Sequence, residues 1–274
     1  MNMDERKRIL QLGNLFVPIL CIITTTILSS GVNAFNSFND SSKYPKLLSP
    51  APFTFAIWGP IFVFIGLFYF YQARDIFKPI DKRIEMPYVH DVSVFFMLST
   101  ISTTSWYILW FKNLVWPSVI AMWAYFTFNL IAYMRLGINL RDRSLRDHLF
   151  ITTGWSMLTA WVTVATIVNT TTGLVASGFN PAPLGEVGWT IIVLLGILLI
   201  YVMVLLTRND FIFAGVGLWA VIGVYAARVD PSNLQVPEVA FVSLLGVFVL
   251  SGIMLLCLVS QIKKKGVTPF NKII

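Results

Sequence analysis

The sequence predicts an all-α fold, a polytopic membrane bundle of about eight transmembrane helices. Three observations predict it. Of 274 residues, 57% are hydrophobic and only 12% are charged, whereas a soluble domain carries about 25% charge. The apolar residues gather in runs long enough for a helix to cross a hydrocarbon core of roughly 30 Å. The basic residues then alternate from side to side across those runs.

The first run, 12–32, follows the charged stretch Asp4-Glu5-Arg6-Lys7-Arg8. Val32-Asn33-Ala34 resembles a signal-peptide cleavage site, but an apolar region of about 20 residues is too long for a typical signal, so this run reads as a retained span. Asn39-Asp40-Ser41 is a glycosylation sequon and falls on the outer side of the predicted topology. The second run, 52–72, carries no charge and is approached through Pro45, Pro50 and Pro52. Proline at a first helical turn costs nothing, because its N–H would have no partner there. Pro60 is expected to interrupt the same helix one-third of the way in, leaving a broken backbone for the bundle to close around.

Further runs cover 92–111, 116–134, 149–176, 187–206, 211–227 and 239–261. The fifth is long and rich in hydroxyls, and the seventh is at the short limit for a span. Pro50-Ala51-Pro52 and Pro181-Ala182-Pro183 form a weak internal echo, each six residues ahead of a tryptophan. With eight spans, sixteen of the twenty Lys and Arg fall on one side and four (Lys43, Lys46, Lys112, Arg228) on the other. That asymmetry places both termini in the cytoplasm. It also accounts for the net charge of +7 without a nucleic-acid partner. The lipid bilayer is the expected environment.

Several chemistries are missing. Pumps and ion-coupled transporters place ionisable groups mid-membrane, but Asp91, Lys112, Asp210, Arg228 and Glu238 all lie at span edges. His90 and His148 sit beside span ends, and Cys21 and Cys257 lie apart within apolar runs with no metal-ligand spacing. No nucleophile–base pair is visible at depth, so an enzyme is not expected, and no cofactor is required.

What remains at depth is tryptophan, hydroxyls and asparagine. Trp106 and Trp110 are one turn apart and share a face, with Ser99, Ser102 and Thr103 close to it. Trp161, Ala165 and Asn169 step by four along the fifth span, so a small residue between two large polar-tipped ones leaves a notch. Trp58 precedes Gly59-Pro60. Packing explains such residues as readily as a cavity does: membrane Ser and Thr commonly bond the carbonyl four residues back, and Trp116 and Trp189 fit an interfacial belt.

These residues resemble the TspO/MBR family, the tryptophan-rich sensory or translocator proteins. The similarity runs over about residues 12–178. Lys46 to Pro52, followed by Phe55 and Trp58, is similar to that family's proline-rich approach to its second helix. The stretch from Ser102 to Phe111 resembles its third-helix signature, with Thr103 in place of Asn and Tyr107 in place of Ser. The stretch from Trp161 to Asn169 keeps Trp, Ala and Asn of the fifth-helix pattern in register, while Met157 stands where a proline would precede it.

The resemblance implies a five-helix bundle over 1–178, with 179–274 adding three helices that have no counterpart in the five-helix family and a basic tail. It implies a pocket for a porphyrin, haem-like or sterol-like ligand, with Trp58, Trp106, Trp110 and Trp161 stacking, Ala165 leaving space, and Thr103 and Asn169 hydrogen bonding. The expected function is binding of a flat apolar small molecule. A transporter and a structural or assembly subunit are the other readings, and a homodimer or a membrane complex is the possible partner.

Overall fold

The computed structural model describes residues 3–29 and 47–265. The expected cleavage site, the sequon, Lys43 and Pro45 lie outside them. The described residues are helical with no strand, as the self-satisfying backbone of a lipid-embedded chain requires. In chain order the helices are α1 (Met3–Ser29), α2 (Trp58–Gln72), the short α3 (Pro87–Val92), α4 (Phe95–Phe111), α5 (Val115–Leu136), α6 (Thr153–Ala176), α7 (Gly185–Arg208), α8 (Phe211–Val229) and α9 (Pro237–Lys265).

Among the described residues, seven segments are long and apolar enough to cross a membrane: Met3–Leu28, Pro52–Gln72, Val115–Leu136, Leu145–Ala176, Gly185–Arg208, Phe211–Val229 and Pro237–Lys263. The chain is therefore an integral, multi-pass membrane protein. The expected third span is α4. It has 17 residues and reaches only about 25 Å. Only Val92 of the expected 92–111 falls outside it on a separate helix, α3, because the chain turns at Ser93 with φ 52°. A left-handed backbone at a non-glycine residue ends a helix there.

Pro60 does not break a helix. Residues Pro52–Ile57 form a 3₁₀ turn and α2 opens at Trp58. Pro60 thus lies in the first α-helical turn, where a missing N–H is tolerated. The irregular backbone comes before it. The long fifth span is one helical rod that passes through a π turn at His148–Thr152. Helix ends follow local chemistry. Gly137 (φ 58°) and Asn209 (φ 52°) close α5 and α7 in left-handed conformations. Asp210 caps α8 by accepting the Phe213 amide at 3.0 Å.

The chain forms two compact units. The first takes α1 and residues 55–179, and the second takes residues 180–265 together with the strap Leu47–Thr54. In the first, α5 packs on α4 and α6, α1 on α4, and α2 on α6. The α2–α6 crossing is tight: a Cβ on Gly154 would lie 2.7–2.9 Å from backbone atoms of Phe64 and Ile65. In the second, α7, α8 and α9 each pack on the other two. The strap lies along α8, with the Ala51 amide donating to Gly223 O at 2.9 Å and Trp219 Nε1 donating to Thr54 O at 2.8 Å. Phe53 meets the Trp219 ring edge-on at 5.4 Å.

Candidate ligand site

The hydroxyls of the hydroxyl-rich spans are largely satisfied within their own helices. Thr163 donates to Thr159 O, Thr166 to Val162 O, Thr170 to Thr166 O and Thr100 to Phe96 O, all at 2.7–2.8 Å. That is the packing role membrane hydroxyls commonly take. Thr103, expected to serve a ligand, lies beside the hydroxyl of buried Tyr125, where α4 packs on α5. Trp116 and Trp123 on α5 donate to Ser177 (2.6 Å) and Thr170 (3.0 Å) near the far end of α6.

The aromatic residues fall into pairs and clusters. Trp58, the first residue of α2, meets Trp161 of α6 edge-on at 6.2 Å. Phe55 meets the same Trp161 ring at 5.9 Å, and Phe62 stacks on Trp58 at 5.3 Å. Residues 55 and 58 reach one ring because the tight 3₁₀ turn delivers Phe55 and Trp58 to α6 together. Trp106 and Trp110 stack on each other at 6.4 Å along α4, as their spacing requires. Trp161 is only 3% exposed, whereas Phe55 is 45% exposed. The site is closed, and Phe55 is its outer leaf.

Ala165 is half-buried, one turn beyond Trp161. Asn169, a further turn on, is buried, and its Oδ1 has no hydrogen-bond partner among the described residues. Asn129 Oδ1, Trp155 Nε1 and Thr159 Oγ1 are likewise buried and unpartnered. Each such atom costs about 1–3 kcal/mol if left unsatisfied. The first unit therefore holds more buried hydrogen-bonding capacity than the described residues use. Trp155, which sequence reasoning did not single out, sits against Phe68 and Phe96 at 5.6 Å. An open surface depression lined by Leu256, Val259, Ser260 and Lys263 belongs to the second unit and to none of these residues.

A family model described as TSPO-like protein matches residues 11–256. The chain belongs to the TSPO-like protein family. The match runs from α1 through most of α9 and so takes in the three C-terminal helices. No curated protein and no solved structure matches the chain.

Sequence reasoning also missed a buried polar cluster. Lys7 Nζ donates to Asp75 Oδ2 at 2.8 Å and to Ile84 O at 2.9 Å. Gln11 Nε2 donates to Asp75 Oδ1 at 2.8 Å and to Gln72 O at 2.6 Å, and Asn14 Nδ2 to Ser93 O at 3.3 Å. Burial acts to raise the Asp75 carboxyl, but the hydrogen bonds from Lys7, Gln11 and the Ile84 amide, with the Lys7 charge, outweigh it and hold it below its ordinary 3.8. The signal was present: Lys7, Gln11 and Asn14 lie at i, i+4 and i+7 on one face of α1.

Proposed function

We propose that the first unit binds a flat, largely apolar small molecule between α2 and α6, with Trp161 as its platform. The observation that supports this best is the face of α6. A tryptophan ring held by Phe55 and Trp58, a small Ala165 and a buried unpartnered Asn169 oxygen follow one another at four-residue steps. Ring faces offer stacking, and one directed polar atom offers orientation, the usual composition of a small-molecule site. Membership of the TSPO-like family supports the same reading.

The unpartnered atom narrows the ligand. A carbonyl oxygen accepts, so the ligand must donate: the hydroxyl of a sterol or a protonated carboxyl at the edge of a porphyrin meets that need. Because Trp161 is sealed, the ligand enters when the Phe55–Trp58 pair parts from it. The role is binding without catalysis. His148 Nδ1 is within 3.1 Å of its own helix's Thr152 hydroxyl, and the His90 carbonyl accepts from Arg135.

Photoaffinity labelling with a diazirine sterol, followed by peptide mapping, tests the location. The expected result is labelling of peptides containing residues 55–62 and 158–169, competed by excess protoporphyrin. Labelling confined to outward-facing positions such as Phe241 and Phe248 on α9, without competition, would overturn it.

A further inference from the structure

The second unit contains a charge that its described residues leave uncompensated. Arg228 is the penultimate residue of α8 and is only 7% exposed. Its Nη1 donates to Leu234 O at 3.0 Å. Nε is buried with no partner, and Arg228 forms no ion pair among the described residues. The nearest acid along the chain, Asp230, is already committed. Its Oδ1 accepts from the Ser232 amide and hydroxyl at 2.9 and 2.7 Å, and its Oδ2 from Asn233 at 3.1 Å.

Two ordinary explanations fall short. A basic residue in the last turn of a helix gains from the macrodipole, but that gain is small beside the cost of burying an unpaired guanidinium. The positive-inside rule does not place Arg228 either, because in the sequence alternation it belongs to the sparse side, with four of the twenty basic residues.

We infer that Arg228 anchors an oxyanion site in the second unit, and that its occupant is the phosphate of a membrane phospholipid. With Nη1 turned to Leu234, the Nε–Nη2 edge remains. That edge is the planar fork that matches two oxygens of one phosphate or carboxylate. The depth selects the lipid. Arg228 lies at the end of the span Phe211–Val229, where hydrocarbon gives way to headgroups. Val224, one turn deeper, packs with Leu47, Val236 and Val239 in an apolar cluster that Val187 and Ile191 border. That cluster is buried, and the apolar side chains beside Arg228 that stand exposed for acyl chains below a phosphate are Val229 and Leu234.

The test is native mass spectrometry of the full chain, titrated with phosphatidylglycerol and with diacylglycerol of the same acyl chains, which lacks only the phosphate headgroup. Inorganic phosphate and a fatty acid serve as further arms. Wild type is expected to retain phosphatidylglycerol at least tenfold more tightly than diacylglycerol. Arg228→Gln should erase that preference, and Arg228→Lys, which keeps the charge and loses the fork, should fall between.

Equal retention of both lipids by wild type would overturn the inference, and that arm needs no variant to fold. Equivalent protection by inorganic phosphate or by the fatty acid would overturn the lipid assignment. Asp40, the one acid in residues 30–46, supplies the decisive internal control. If Asp40→Asn lowers the unfolding temperature as Arg228→Gln does and the double variant lowers it no further, the partner is this chain's own carboxylate and the lipid site does not exist.

Discussion

Asn169 Oδ1 is buried without a described partner, and an empty site and a used one give opposite expectations for it. Removing an unsatisfied buried acceptor relieves a desolvation cost of about 1–3 kcal/mol. Asn169→Leu should therefore leave unliganded stability unchanged or raised, as read from thermal unfolding in detergent, while weakening ligand binding. Lys7 and Asp75 behave differently, because each satisfies the other. Asp75→Asn leaves the buried Lys7 ammonium with only the Asp4 carboxylate, at 3.7 Å, and should cost about 1–3 kcal/mol at neutral pH. The wild-type pair also carries a pH signature. The Asp75 pKa is lowered by folding, so its contribution is complete above the ordinary value of 3.8 and is lost as pH falls through the lower folded value. A stability–pH curve should show that loss in wild type and lack it in Asp75→Asn. At this scale the sequence displayed which residues stack but not which are satisfied. Asp75 is the example: Lys7 and Gln11, which satisfy it, lie on α1, more than 60 residues away.

The register of the elements was readable wherever apolar runs stop at Gly, Asn or Asp, as at Gly137 and Asn209-Asp210. It was not readable at Pro60, because the residues before it take a 3₁₀ rather than an α conformation and thereby move the proline into a first turn. Nor could sequence reveal how closely α2 and α6 cross. Gly154 brings backbones together where any side chain would meet Phe64 and Ile65 main-chain atoms, and lipid supplies no hydrophobic drive to compensate for lost contact. Gly154→Val should force the helices apart, cost about 1–3 kcal/mol, and displace the Phe55–Trp58–Trp161 cluster. A red-shifted tryptophan emission together with a lower unfolding temperature would show it. An unchanged spectrum and stability would mean that the crossing relaxes without consequence.

For the whole molecule, composition alone identified the membrane class, because lipid removes every alternative for a chain this apolar. The strap Leu47–Thr54 escaped notice for the opposite reason: its pairing with Gly223 and Trp219 spans more than 160 residues and has no local signature. Its next residue, Phe55, belongs to the first unit and meets Trp161. The basic-residue alternation predicts that tags at the two termini are accessible from the same face of the membrane, which protease protection in oriented vesicles reads directly. Opposite accessibility would require an odd number of crossings, with α4, which is not among the described segments long and apolar enough to cross, failing to do so.

The central claim is a ligand on the Trp161–Asn169 face, and tryptophan-fluorescence quenching by protoporphyrin tests it most directly. The comparison is between wild type and Asn169→Leu, with unfolding temperatures measured in parallel. Saturable quenching by wild type, with affinity at least tenfold weaker in a variant of equal or greater stability, is the predicted result. Quenching that never saturates, or that saturates identically in both proteins, would contradict the claim.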